Sequence, residues 1–319
     1  MFLTRLFGGQ PAASASQSWT PETQALDFDG FEQPYPLHQR GADLYEKLEG
    51  EIRRSAPAAG FGTLGQNLPT RLEHHTAAQP GNEAPLRGHC MDDGTLLLAA
   101  PSSKDTSGLI RLIGALMEHN VGLIVDLSTG QDGLNGPHGL SSNWSDELPG
   151  YRAAVSRRVT DPSTGDVPDG VAADQLNLMM QRLPEATASL YAPQKVNIGM
   201  LTLTAPFDRN VLPAGMALQL AQHCQQFRER YRNERIAFLS NDGLGPTVAL
   251  AGAERLFRTW QCDGLRRNEL NDRVLQLAGE LRKQFGPFAT MPTELTTLAD
   301  LYEYLANIAP PGRDPQPAP

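Results

Sequence analysis

The run Ile236-Ala237-Phe238-Leu239, followed at once by Ser240-Asn241-Asp242-Gly243-Leu244-Gly245-Pro246-Thr247, constrains the fold more than any other stretch. Four consecutive apolar residues predict a short buried strand. The glycine-rich letters after them predict a tight turn. Pro246 suits the first turn of a helix, where an N–H has no intrahelical partner to lose, and Thr247–Trp260 predicts that helix. A strand that enters a helix through such a turn points backbone N–H groups and the positive end of the helix dipole at one spot, the form of an anion cradle. The letters N-D-G-L-G-P also make a good generic turn before a helix, so the surrounding sequence has to decide.

From about residue 93 onward, strand and helix patterns alternate. Thr95–Ala100 and Val121–Leu127 read as strands, and Ser107–His119 between them carries apolar residues at helical spacing. VGLIVDL is apolar almost throughout, which predicts a sheet covered on both faces. Tyr151–Val159 and Val196–Leu203 predict further strands. Pro213–Arg232, Glu269–Phe285 and Pro292–Ala306 predict helices, and a short helix is expected at Ala42–Ser55. The alternation predicts an α/β domain. Residues 1–60 differ: Gln10–Thr23 is rich in Ser, Ala, Gln, Pro and Thr and reads as disordered. The expected division is an N-terminal region over 1–60, a folded domain over 61–308 and a proline-rich tail over 309–319.

The chain has 319 residues and a formal net charge of −9. That balance argues against a nucleic-acid or anionic-membrane partner, both of which need a cationic footprint. Three scattered cysteines, Cys90, Cys224 and Cys262, are too few for a disulfide framework or a structural zinc site, and neither a metal nor a cofactor is expected. No apolar run approaches the roughly 20 residues of a membrane span, and the first ten residues lack the apolar core of a signal peptide.

The 239–247 stretch resembles the phosphate-binding loop of the protein tyrosine phosphatases, H-C-x-x-G-x-G-R-[ST]. Gly243, Gly245 and Thr247 fall on that pattern. Ser240 stands at the position of the nucleophilic cysteine, Pro246 at that of the phosphate-clamping arginine, and Leu239 at that of the histidine. Other segments resemble the same family in order and spacing. VGLIVDLS resembles V-x-x-I-V-M-L-T. Trp144-Ser145-Asp146-Glu147 resembles Y-W-P-D-E. Pro206-Phe207-Asp208 resembles the W-P-D loop, roughly thirty residues before Ser240. Phe288–Glu294 resembles G-M-V-Q-T-P-E-Q, with Thr290 at the water-positioning glutamine and Glu294 at the second glutamine. The phosphotyrosine-recognition loop has no clear counterpart, Asn67–Arg71 being the one candidate.

This resemblance, over about residues 65–307, implies a tyrosine-phosphatase-like α/β domain: a central twisted mixed sheet flanked by helices on both faces. It implies a phosphate-binding loop of Ser240, Asn241, Asp242, Gly243, Leu244, Gly245, Pro246 and Thr247, with Asp208 at the general acid. It also implies lost catalysis. A serine hydroxyl is no nucleophile near neutral pH without an adjacent base, and Pro246 removes both a guanidinium and a backbone donor. The expectation is a catalytically inactive phosphatase-like protein that binds a phosphoprotein or signalling protein. The alternatives are a divergent active phosphatase and a scaffold with no phosphate site. A phosphatase-like domain behind a Ser/Gln/Pro-rich N-terminus resembles bacterial type III secreted effectors. That implies delivery to a host cytoplasm and a secretion chaperone at the N-terminus; the alternative is an ordinary disordered tail on a cytoplasmic protein.

Two decoys are set aside. The literal H-C-x5-R at His223–Arg230 has no glycine and falls within a predicted helix whose amides are already bonded. His89-Cys90 reads as a loop near the first strand, and the arginines at 228, 230, 232 and 235 read as a solvated helix face.

Overall fold

The computed structural model describes residues 39–55, 88–101, 105–128, 140, 143–148, 151–159, 170–182, 194–203, 211–241, 243–285 and 291–308. Asp208, Asp242 and Thr290, the 67–71 candidate, most of the N-terminal region and the tail lie outside these residues. The elements run α1 (Gln39–Ser55), β1 (Gly88–Cys90), β2 (Leu96–Ala99), α2 (Thr106–Glu118), β3 (Val121–Asp126), β4 (Trp144–Leu148), β5 (Tyr151–Val159), β6 (Val171–Arg182), β7 (Gln194–Leu203), α3 (Ala214–Arg230), β8 (Arg235–Ser240), α4 (Pro246–Asp263), α5 (Leu270–Phe285) and α6 (Pro292–Ala306).

Eight strands form one mixed sheet in the order β1-β2-β8-β3-β7-β6-β5-β4. The middle four, β2, β8, β3 and β7, are parallel. β1 is antiparallel on one edge, and β6, β5 and β4 extend the other edge as an antiparallel meander. Parallel strands need crossovers, and crossovers adopt one hand. β2 reaches β3 by way of α2, passing β8; β7 reaches β8 by way of α3, travelling the opposite way. One hand for both puts α2 and α3 on opposite faces. The cores follow that division. Leu96, Leu98, Ile124, Ala237, Leu239 and Met200 pack under α2, whereas Leu97, Val125, Phe238 and Leu201 pack under α3, α4, α5 and α6. Every residue of β3 is buried, because helices cover it on both sides, as its almost wholly apolar run predicts.

α1 lies on α6 through Leu44 and Leu48, both buried. Arg40 pairs with Glu303, and Arg282, its guanidinium stacked over Tyr45, pairs with Glu49 at 2.6 Å. Gly41 sits so close to the Pro292 carbonyl and Thr296 that a Cβ there would collide with them.

The predicted helices and parallel strands appear within a few residues of their expected bounds. Three strands, β1, β4 and β6, are additional to those the sequence pattern predicts. β1 contains His89 and Cys90, so those residues pair with Leu97 and Leu96 instead of forming a loop. β4 takes up the Trp144–Glu147 motif as an edge strand. β6, VAADQLNLMMQR, buries Leu176 and Leu178 and exposes Asn177 between them. Its polar composition hid this period-2 pattern.

The arginine run is not a uniformly solvated face. Arg228 makes a two-pronged pair with Glu254 of α4 (Nε–Oε1 3.4 Å, Nη2–Oε2 3.2 Å) and donates to Thr95 Oγ1 at 2.6 Å, and Arg235 opens β8. Asp93 accepts from Thr95 and from Arg258 in the same network. Burial pushes the Glu254 carboxyl up despite Arg228. Burial likewise holds the Cys224 thiol well above its ordinary value, with Glu254 adding to it, so Cys224 is an inert core thiol, as its helical setting implied. Arg228→Met would leave Glu254 buried without its cation, and should cost about 3–5 kcal/mol. The loss should grow with pH, because the raised carboxyl of Glu254 must then stay protonated in the fold. Arg228→Met with Glu254→Leu should recover most of it. Denaturant unfolding of the two variants at acid and neutral pH checks both expectations.

Candidate functional site

β8 lies between β2 and β3, and the chain leaves its carboxyl end through the Ser240–Thr247 turn. The neighbours hold this end in place: Ala100 N donates to Ser240 O and Leu127 N to Leu239 O, each at 2.7 Å. β2 continues into α2 on one face and β8 into α4 on the other. Their carboxyl ends therefore diverge, which is where crevices open in parallel sheets.

The two glycines have different duties. Gly243 has φ +75°, and a Cβ on it would lie 2.7 Å from Ala99 N and 3.0 Å from Leu98 C. Both conformation and space demand glycine, because the turn folds back onto the end of β2. Gly245, at φ +58°, has room for a side chain but a backbone that favours none. It is the N-cap of α4, and Pro246 occupies the first helical position, as the sequence predicts.

The interior of the turn is bonded to itself. Ser240, nearly fully buried, donates its hydroxyl to Leu244 O at 3.0 Å and accepts from Gly243 N at 3.1 Å. Thr247 Oγ1 also donates to Leu244 O, at 3.1 Å. At the start of α4, Val248 N and Ala249 N both donate to Gly245 O at 3.0 Å, Thr247 N reaches Leu244 O at 3.4 Å, and Pro246 has no N–H to offer. The donors that make a helix N-terminus attractive to an anion are thus turned on the loop's own carbonyls. Glu294 adds negative charge beside them. It is buried at the start of α6, accepts from Met291 N and Thr293 Oγ1 at 2.8 Å each, and lies against Gly245.

The structure therefore brings together Ser240, Asn241, Gly243, Leu244, Gly245, Pro246 and Thr247. Asn241 is exposed and Pro246 half-buried. Asp208, Asp242 and Thr290 lie outside the described residues. Two features escaped the sequence reading. The sequence marks Glu294 only as a motif position, and its place beside Gly245 depends on how α6 docks. Asp126 falls within a predicted apolar strand, and an acid within VGLIVDL is a readable signal of a special site. Among the described residues no group of histidine, cysteine or carboxylate side chains could hold a metal ion. A groove of about 590 Å³ lies along the far half of α4 and α5. Its Arg255, Arg258 and Arg273 pair with Glu280, Asp93 and Glu269, so its three cations already have carboxylate partners.

Chemically, the turn can bind and shape but is badly placed to attack. The Ser240 proton points to a carbonyl, which cannot accept it as a base would. Comparison with protein-family models and with curated proteins found no match.

Gly243→Ala should cost at least 1–3 kcal/mol, since the left-handed φ and the contact with Ala99 both oppose it. Gly279→Ala, in the interior of α5 with nothing near the added methyl, should instead stabilise by about 0.5–1 kcal/mol. Urea midpoints of the two variants should move in opposite directions.

Proposed function

We propose that this chain is a tyrosine-phosphatase-like domain without phosphatase chemistry, acting as a binding module for a phosphoprotein or another signalling protein. The observation that carries the reading is the Ser240 hydroxyl bonded to Leu244 O, in a turn whose expected arginine is Pro246 at the head of α4. The mixed sheet with helices on both faces, and the glycine turn leaving a central parallel strand, support the phosphatase-like likeness drawn from sequence. Nucleophile and clamp are both replaced, so the surface around the turn is what such a protein retains for use.

A second reading, a scaffold that holds no phosphate in the turn, is favoured by one observation: Leu244 O and the Glu294 carboxylate present negative charge where an anion would need donors. Delivery by a type III system, with a chaperone on the N-terminal region, is a proposal that rests on the composition of residues 1–60. A translocation reporter fused to that segment tests it.

Calorimetry with a phosphotyrosine peptide and its unphosphorylated control, with released phosphate measured in parallel, tests the main reading. Phosphate-dependent binding without release supports a non-catalytic phosphopeptide reader. Absence of both heat and release supports the scaffold. Turnover that Asp208→Asn abolishes overturns both. The Ser240→Cys/Pro246→Arg variant should still hydrolyse aryl phosphate slowly, at least 100-fold below an effective phosphatase: one oxyanion-type contact is worth about 10²–10³ in rate, and Thr290 supplies no water-positioning amide. High activity in that variant would refute this view of the turn.

A further inference from the structure

Asp126 of β3 and Thr202 of β7 are register partners at the carboxyl end of the parallel strands. The pairs before them show which way they face. Ile124 and Met200 lie in the α2-side core, and Val125 and Leu201 in the opposite one. Side chains alternate along a strand, so Asp126 and Thr202 stand side by side on the α2 face, on strands roughly 5 Å apart. Asp126 is fully buried and Thr202 is 8% exposed. Asp126 Oδ1 accepts from Ser128 N at 2.9 Å and Ser128 Oγ at 2.6 Å. Asp126 Oδ2 and Thr202 Oγ1 are both buried without a protein partner. An ionised carboxylate oxygen in that setting is costly, whereas a protonated one is a donor beside an acceptor.

We propose that Asp126 and Thr202 form a proton-dependent clamp between β3 and β7. With Asp126 protonated, its Oδ2–H is donated through one bridging water to Thr202 Oγ1. Ionisation removes the link and leaves a buried charge at the end of the sheet that carries the Ser240 turn. The clamp does not depend on the phosphatase-like reading.

The surroundings leave this proton to Asp126. Its register neighbour on β8 is Leu239. Among the described side chains of β5 and β6 on this face, the ionisable Arg157 and Asp174 are paired with each other at 2.6 Å, beyond β7. α2 presents leucines and isoleucines to this core. Its Asp105 carboxylate caps Gly108 N, Arg111 is half-buried, and Glu118 is exposed. His119, at the other end of α2, contacts Arg235 at the start of β8. Burial pushes the Asp126 carboxyl up to about 6, against the two Ser128 hydrogen bonds. The folded-state value thus lies above the unfolded one. The stability it supplies is fully present below about pH 4, where the unfolded acid titrates, and is lost as pH rises through about 6.

Asp126→Asn tests the clamp, because asparagine keeps an acceptor for Ser128 and offers Thr202 an N–H that does not titrate. Denaturant unfolding of the full chain should show the folding equilibrium of the native protein falling relative to Asp126→Asn by up to about 100-fold between pH 4 and pH 7. Other raised carboxyls such as Glu254 are common to both proteins and drop out of the difference. Parallel pH profiles would overturn the clamp. If the asparagine variant does not fold, carboxyl carbon-13 NMR of Asp126 in the native protein decides. A midpoint near 6 that falls in Thr202→Val supports the clamp. A midpoint near 4, or one unmoved by Thr202→Val, overturns it.

Discussion

The insertion of β8 between β2 and β3 is the constraint on which the rest of this molecule depends. A parallel strand added last, into the middle of the sheet, must be apolar on both faces, and Arg235–Ser240 is buried from Ile236 onward. Its neighbours were formed by earlier chain, so β7 must travel back across β3 to reach it. Two crossovers of one hand, running in opposite directions, then place α2 alone on one face and the later helices on the other. The divergence of α2 and α4 from neighbouring strands puts the Ser240 turn at the carboxyl edge, where crevices open in parallel sheets.

What the turn does with those groups separates form from chemistry. Its shape needs Gly243 against Ala99 and a positive φ at Gly245. Its reactivity would need donors aimed inward and a base for the nucleophile. Instead Leu244 O takes both hydroxyl protons, Gly245 O takes the first amides of α4, and Glu294 sits alongside. A framework can persist on steric grounds after the electrostatics have reversed, because backbone conformation and charge are set by different residues.

The carboxyl edge also concentrates buried acids. Asp126 is buried with one oxygen lacking a protein partner, and Glu294 with hydrogen bonds at both oxygens. Asp126 therefore holds its proton firmly, since its second oxygen gains a partner only as a donor. Glu254, midway along α4, shows a third solution, a carboxylate buried against Arg228. Each acid is buried, but the atoms within hydrogen-bond reach decide its state.

Much of the fold was legible in sequence wherever apolar periodicity was strong: α2, β3, β8 and α6 appear nearly as their patterns predict, and VGLIVDL announced a sheet covered on both faces. β6 was not legible, since its α2-side residues include Asp174, its other face is interrupted by Gln175, Asn177 and Gln181, and a strand of that composition is defined by its partners. The turn's glycines and Pro246 were legible because φ and N–H requirements are local properties of the chain. The pairing of Asp126 with Thr202, the placing of Glu294 against Gly245 and the burial of Arg228 were decided only in three dimensions. Each joins residues far apart in sequence, and register and helix docking, set by the packing of the whole sheet, determine which of them meet.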